Sequence, residues 1–388
     1  MRKVYLDSNA TTQVHPEVVK AMIPFYEEIY GNPSSVHGFG REAKKHLEKA
    51  RGQVAELINA ASPDEIIFTS GGTESDNFAI KASAYALKGK GTHIITSSVE
   101  HHAVLNTCKY LEKTGFRVTY LGVDEYGRID PGELKNSISG DTTLITIMSA
   151  NNETGTIMPI SEIGKIASEK GVVFHTDSVQ SVGKVPFDVQ KNGIHLASLS
   201  AHKIYGPKGV GALYIRKGTE ILQWQQGGHH EQGKRAGTEN VPGIAGFGKA
   251  CELANSQGLK ECAGIKKLRD RLHKGIETNV KQIRLNGHPE ERLPNTANIS
   301  FDYLEGESII LSLDLEGIAT STGSACTSGS LEPSHVLESM GIEPLFAQGS
   351  VRFSLSIYNT EEDIDYVIEK LPPIIDRLRK MSPVYPGD

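Results

Sequence analysis

This sequence predicts an α/β fold with a mainly parallel central sheet, on three observations. Helical and extended patterns alternate from about residue 40 to 215, as strands joined by crossover helices require. Polar residues follow several of the extended runs, and open α/β sheets bind ligands beyond the carboxyl ends of their strands. The 388 residues, 38% of them hydrophobic, can bury a large core and leave room for two domains.

The elements follow in order. Ala43, Leu47, Ala50, Val54 and Leu57 recur at alternating steps of four and three, which sets one apolar stripe of a helix against a core. Residues 65–69 read as a strand, Ser70-Gly71-Gly72-Thr73 as a turn, and a helical pattern begins at Phe78. Free N–H groups at a helix start bind anions and glycine permits close approach, so Gly72 and Thr73 are candidates for a phosphate cradle. Further strand-like runs lie at 93–96, 118–121, 144–148 and 172–176. His101 follows the first, Asn151-Asn152-Glu153 the third and Asp177-Ser178-Val179-Gln180 the fourth, so these groups can converge on one cleft. Near residues 255–265 the alternation gives way to a charged helical run with Lys266, Lys267, Arg269, Asp270 and Arg271, a connector into a smaller carboxyl-terminal domain. The expected division is a large domain over 14–258 and a small one formed by 1–13 and 259–388.

The chemistry centres on Ser200-Ala201-His202-Lys203-Ile204-Tyr205-Gly206, which follows a short buried strand at 195–199. An amine at a strand's carboxyl end can bond covalently to an aldehyde cofactor, while the Ser200 hydroxyl and a His202 ring nitrogen can donate to its phosphate. Pyridoxal 5′-phosphate is the cofactor suggested. A lysine by itself is far more often a solvated surface charge, so the neighbouring motifs carry this reading. Asp177 beside the pyridine nitrogen would keep it protonated and make the ring a better electron sink; the alternative is that it caps the following segment. Gln180 could donate to the phenolic oxygen, and His101 could stack on the ring and transfer protons, although a lone histidine is more often a satisfied polar residue. The pairs His101-His102 and His229-His230 lack the i, i+4 spacing of helical metal ligands, and no intrinsic metal is expected.

A net charge of -6 offers no broad attraction to nucleic acid or an anionic membrane, which favours small-molecule chemistry. The amino terminus lacks the apolar stretch of a secretory signal, and no segment approaches the roughly 18 unbroken apolar residues of a membrane span. A cytoplasmic location is expected. Cys108, Cys251, Cys262 and Cys326 show neither zinc-ribbon nor redox-pair spacing, which fits free thiols in a reducing compartment. Cys108, Cys251 and Cys262 lie in helical contexts that predict packing, whereas Cys326 sits among glycines and small hydroxyl residues that permit movement. Ser350-Val351-Arg352-Phe353-Ser354-Leu355 alternates like a strand, and its guanidinium can grip a carboxylate through two charge-assisted hydrogen bonds or form a structural salt bridge.

The segments 5–12, Gly72-Thr73-Glu74-Ser75, Ala150-Asn151-Asn152-Glu153-Thr154-Gly155, His175-Thr176-Asp177-Ser178-Val179-Gln180, Ser200-Ala201-His202-Lys203 and Arg235-Ala236-Gly237-Thr238-Glu239-Asn240 occur in the order found in one family. Over nearly its whole length the chain resembles cysteine desulfurases of the NifS/IscS type, and 323–335 is similar to their sulfur-accepting cysteine loop. The lysine and aspartate alone would identify many pyridoxal-phosphate enzymes; the cysteine loop narrows the resemblance.

The resemblance implies a fold-type I pyridoxal-phosphate transferase with a smaller α+β domain. It implies that Lys203 carries the cofactor, Asp177 supports the pyridine nitrogen, Gln180 contacts the phenolic oxygen and His101 stacks on the ring. Gly72, Thr73, Ser200 and His202 match phosphate-side positions, and Thr238 matches a phosphate contact supplied across a subunit interface, hence a homodimer. Asn152, also on the cofactor side, and Arg352 would bind the substrate carboxylate. Cys326 would take the sulfur of L-cysteine as a persulfide, release alanine and deliver the sulfur to an iron–sulfur scaffold protein, with Cys326 a candidate transient iron–sulfur ligand. A selenocysteine lyase, a related aminotransferase and a noncatalytic sulfur carrier are the competing functions.

Overall fold

Short apolar runs with covered faces become strands of a central sheet, and a computed structural model describes residues 2–322 and 333–386 of the chain. Its strands are β1 (Val4–Tyr5), β2 (Ile66–Thr69), β3 (His93–Ser97), β4 (Arg117–Leu121), β5 (Thr142–Thr146), β6 (Val173–Asp177), β7 (Leu196–Ser200), β8 (Gly211–Ile215), β9 (Ile283–Asn286), β10 (Thr296–Phe301), β11 (Ile318–Ala319) and β12 (Ser350–Ser354). Seven of them form one sheet in the order β2-β8-β7-β6-β5-β3-β4. The pairs β3–β4, β3–β5, β5–β6 and β6–β7 are parallel, while β8 runs antiparallel to both β7 and β2. The sheet is therefore mixed but mostly parallel, as the alternating pattern predicted. β8 departs because only a short loop, with no crossover helix, returns the chain from β7.

Both faces of this sheet are covered, which is why β3, β5, β7 and β8 are buried along their whole lengths. On one face Ile95, Ile145, Phe174 and Leu199 pack with Leu47, Ala50 and Val54 of the helix Gly38–Leu57 and with Phe247 of the helix Val241–Leu253. On the other, Ile94 and Leu144 meet Val104, Cys108 and Leu111, and Ile67 and Leu213 meet Phe78 and Ala79. The alternation of Ile94 and Ile95, one to each face, is the period-two geometry of a strand.

A second core surrounds the antiparallel sheet β12-β10-β9. Ile299, Phe301, Val351 and Phe353 are covered by Leu272 and Ile276 from the helix Leu259–Asn279 and by Ile364, Val367 and Leu371 from the helix Glu361–Met381. β1 pairs with β11, so the amino terminus joins this unit before the chain crosses back, where the Thr12 N–H donates to the His202 carbonyl.

Two sequence expectations shift locally. The helix expected from Phe78 starts at Gly72, because Gly71 adopts φ 154° and the Glu74 carboxylate accepts the Ser70 N–H at 2.7 Å; a π-helical turn then spans Phe78–Ala82. The strand expected at 144–148 is displaced to β5, since Met148 leaves the ladder and its N–H donates to both oxygens of Glu100. The charged run expected as the connector near 255–265 is helical. A π-helical turn over Ala254–Gly258 joins the helix ending at Leu253 to that starting at Leu259.

Candidate active site

The strands β2, β3, β5, β6 and β7 run in the same direction, so the segments leaving them emerge at one edge of the sheet. They open onto a cavity of about 390 Å³. Gly72 and Thr73 after β2, Ser200 at the end of β7 with His202 and Lys203 just beyond it, and His101 after β3 line it. Asn152 beyond β5, Asp177 at the end of β6, Gln180 after it and Arg352 of β12 complete the walls. Ten sequence-selected residues thus come together, nine of them from segments at or beyond strand ends and Arg352 from the middle of β12. Thr238 is exposed on a loop and is not in the wall of this cavity; Cys326 lies outside the described residues.

Lys203 ends a short 3-10 turn after β7, and its amine donates to the carbonyls of Asn9 and Ala10, the latter at 2.8 Å. Asp177, at the end of β6, is pushed up to about 6 by burial, an effect opposed by the Val179 N–H at 2.9 Å and by the Lys203 charge. A carboxyl poised there can share a proton with a ring nitrogen. Behind it, Asp76 is raised well above its ordinary value by burial and then by Asp177, and its Oδ1 finds no hydrogen-bond partner among the described residues. His175 is held neutral by burial, lowered to about 3, between Thr146 Oγ1 at 2.8 Å and Ser198 Oγ at 3.0 Å.

His101 is the N-cap of the helix His102–Glu112. Its Nδ1 accepts the Ala103 N–H at 3.1 Å, which leaves the proton on Nε2. Burial, then Lys203, lowers it to about 4, so the ring is a neutral imidazole near pH 7. His202 is likewise lowered to about 4, by burial and then by Lys203, and its Nδ1 lies 3.1 Å from the Thr11 hydroxyl. The Gly72–Asn77 helix presents its first N–H groups, which have no intrahelical acceptors, beside Ser200. A Cβ at Gly72 would come 2.7 Å from Val179 Cγ2, so only glycine lets this turn pack so closely.

Arg352 is buried in β12. Its Nη2 donates to Asp7 Oδ1 at 2.9 Å and its Nη1 to the Asn152 carbonyl at 3.0 Å, while Nε has no acceptor among the described residues. The salt bridge and the cavity-lining position therefore coexist, with Asp7 aiming the guanidinium. The chain on either side of 323–332 is tied to the same walls. Ser321 exchanges backbone hydrogen bonds with Arg352, and Ser334 caps the helix His335–Ser339 while donating to Glu153. The His335 ring lies 4.8 Å from that of His102.

A lysine amine, a buried carboxyl opposite it, helix-start N–H groups with Ser200 and His202, and a flat histidine ring form a donor set that fits pyridoxal 5′-phosphate. Among the described residues no group of three or more His, Cys, Asp and Glu side chains could hold a metal ion, and no helix is long and apolar enough to cross a membrane. Sequence reasoning gave no role to Asp7, Asp76, Glu100 or the carbonyls of Asn9 and Ala10. The 5–12 motif contained three of these signals, but their use depends on contacts across 193 to 345 residues of chain.

Residues 4–367 match the family model described as Aminotransferase class-V. The chain is 56% identical over 382 residues to a protein named cysteine desulfurase IscS from Dictyoglomus turgidum, covering 98% of this chain and 97% of that one. It is 54% identical over 387 residues to one of the same name from Methanosarcina thermophila, covering 100% and 95%. A solved structure titled NifS-like protein superposes with a TM-score of 0.92 at 43% identity, over 97% of this chain and 100% of that one. The chain therefore belongs to the class-V aminotransferase family and, within it, to the cysteine desulfurases of the NifS/IscS type.

Proposed function

We propose that this enzyme takes sulfur from L-cysteine, releases L-alanine and carries the sulfur as a persulfide on Cys326 to an iron–sulfur scaffold protein. The observation that carries the reading is the convergence of Lys203, Asp177, His101 and Arg352 on one cavity whose walls also anchor both flanks of the Cys326 segment. Pyridoxal 5′-phosphate, when bound, supplies an aldehyde carbon for the substrate amine and a ring that accepts the electron pair left by the departing α-proton.

The protein's own groups do the rest. Lys203 would hold the cofactor and, once freed, would take the substrate α-proton. Asp177 would hold a proton at the ring nitrogen, Gln180 would donate to the phenolic oxygen, and His101 would stack on the ring and move protons. Gly72, Thr73, Ser200 and His202 would hold the phosphate, and Arg352 with Asn152 would hold the substrate carboxylate. The Cys326 thiolate attacks the substrate sulfur; the carbon–sulfur bond breaks, a sulfur–sulfur bond forms, and the carbon skeleton is reprotonated to alanine.

Thr238 is assigned to the phosphate of a second subunit, which makes the enzyme a homodimer with shared sites in the cytoplasm. Its exposure outside its own cavity supports that role. The division into 14–258 and 1–13 with 259–388 belongs to the same proposal and is supported by the second core around β12-β10-β9, while Val336, Leu337, Met340, Ile342 and Ala347 pack into the core of the large domain. Product analysis after incubation with L-cysteine tests the reaction. Alanine and protein-bound sulfur in equal amounts are expected; a keto acid that retains sulfur would mean transamination instead.

A further inference from the structure

Gln180 occupies a position where the direction of its amide matters. One end of that amide faces the Asn9 carbonyl, which can only accept, and Nε2 donates to it at 3.0 Å. The other end faces Lys184, whose Nζ donates to Oε1 at 2.8 Å. The two contacts agree: each requires the oxygen toward Lys184 and the nitrogen toward Asn9. An amide nitrogen has two N–H groups, and with one on Asn9 the second is left for the cavity that Gln180 lines.

Lys184 itself lies on the far side of Gln180, in the wall of a second, smaller cavity of about 40 Å³ shared with Lys203, Tyr205, Glu261, Cys262 and His15. It is not a surface lysine, being half-buried with its amine spent on Gln180. Burial first, then the charges of Lys203 and Arg352, bring it down to about 7, with Cys262 opposing; the amine donates in either protonation state.

We propose that Lys184 is a positioning residue, whose amine holds the Gln180 amide oxygen so that the amide nitrogen is kept pointing at the cofactor's phenolic oxygen. This rests on the assignment of Gln180 to that oxygen. Donation to the phenolic oxygen withdraws electron density from the nitrogen by which Lys203 holds the cofactor and lowers that nitrogen's affinity for a proton. Without Lys184 the amide can rotate, and the benefit is diluted.

The test is a spectrophotometric pH titration of the cofactor-loaded protein, read at the visible absorbance band, for wild type, Lys184→Met, Gln180→Leu and the double variant. Methionine has similar length and suits the apolar wall, and Lys184→Leu gives a second donor-free side chain for the same comparison. Loss of the Gln180 donor is expected to raise the titration midpoint by about half a pH unit or more. Lys184→Met should raise it in the same direction, and should add nothing further in the Gln180→Leu background. An equal shift in both backgrounds would mean that Lys184 acts only through its charge and would overturn the proposal. So would an unchanged midpoint in Lys184→Met while Gln180→Leu shifts. An unchanged midpoint in Gln180→Leu would instead remove the assignment of Gln180 to the phenolic oxygen, and the role of Lys184 with it.

Discussion

At the scale of single residues, the site works by taking charged groups out of water and fixing them through specific partners. Lys203 is the clearest case, because its amine sits at the end of β7 among groups that its charge perturbs: Asp177, His101 and His202. Lys203→Ala is expected to abolish alanine formation and the visible absorbance of the lysine-linked cofactor, both read directly on purified protein. Glu100 is a different kind of buried group. Burial lifts its carboxyl from 4.5 to about 8, against the pull of the Ser97 hydroxyl and the Met148 N–H, so the folded protein holds its proton more tightly than the unfolded chain does. The resulting stabilisation is full below pH 4.5 and is lost as pH rises toward 8. Glu100→Gln removes that titration, so the thermal midpoint of the variant should fall less than that of wild type over the same range. Identical pH dependence in the two proteins would show that Glu100 ionises normally.

At the scale of elements, the loop that carries Thr238 is fixed by ion pairs to the strand and helix beside the phosphate cradle. Glu231 accepts from Arg51 Nη1 at 2.8 Å and Nη2 at 2.9 Å and from the Phe68 N–H of β2 at 2.7 Å, all of them buried. Arg235 Nε donates to Glu74 Oε1 at 2.9 Å, on the helix that starts at Gly72. Truncating one partner of a buried pair leaves the other charge unpaired, so Glu231→Ala should cost about 3–5 kcal/mol in denaturant unfolding. The paired replacement Arg51→Met with Glu231→Leu should recover most of that loss. None of this was legible in the sequence, since Arg51 and Glu231 are far apart in the chain and look like ordinary surface charges. The strands and the helix Gly38–Leu57 were legible because their periodicity is local. The start at Gly72 and the departure of Met148 from β5 were not, because a side-chain carboxylate sets each one.

At the scale of the whole molecule, the central sheet brings five strand ends to one edge and the second core brings Arg352 to face them. The motifs around Lys203, Asp177 and Arg352 were readable as chemistry from residue types alone; their common cavity depended on strand order, which periodicity does not encode. The proposed role of Thr238 needs a second chain. A homodimer is expected by light scattering, and mixing Lys203→Ala with Thr238→Val subunits should restore, in the mixed dimer, one site with wild-type cofactor affinity. An active monomer would contradict this. The central claim is that sulfur moves from L-cysteine to Cys326. Cys108, Cys251 and Cys262 are buried, and burial raises each thiol, Cys262 to about 11, which leaves little thiolate for attack. Mass-spectrometric mapping of persulfide after brief exposure to L-cysteine tests the claim most directly, with Cys326→Ser as the comparison. The account predicts sulfur on Cys326 and, in the variant, an intact cofactor absorbance without catalytic alanine formation. Sulfur on another cysteine, or wild-type alanine production by Cys326→Ser, would contradict it.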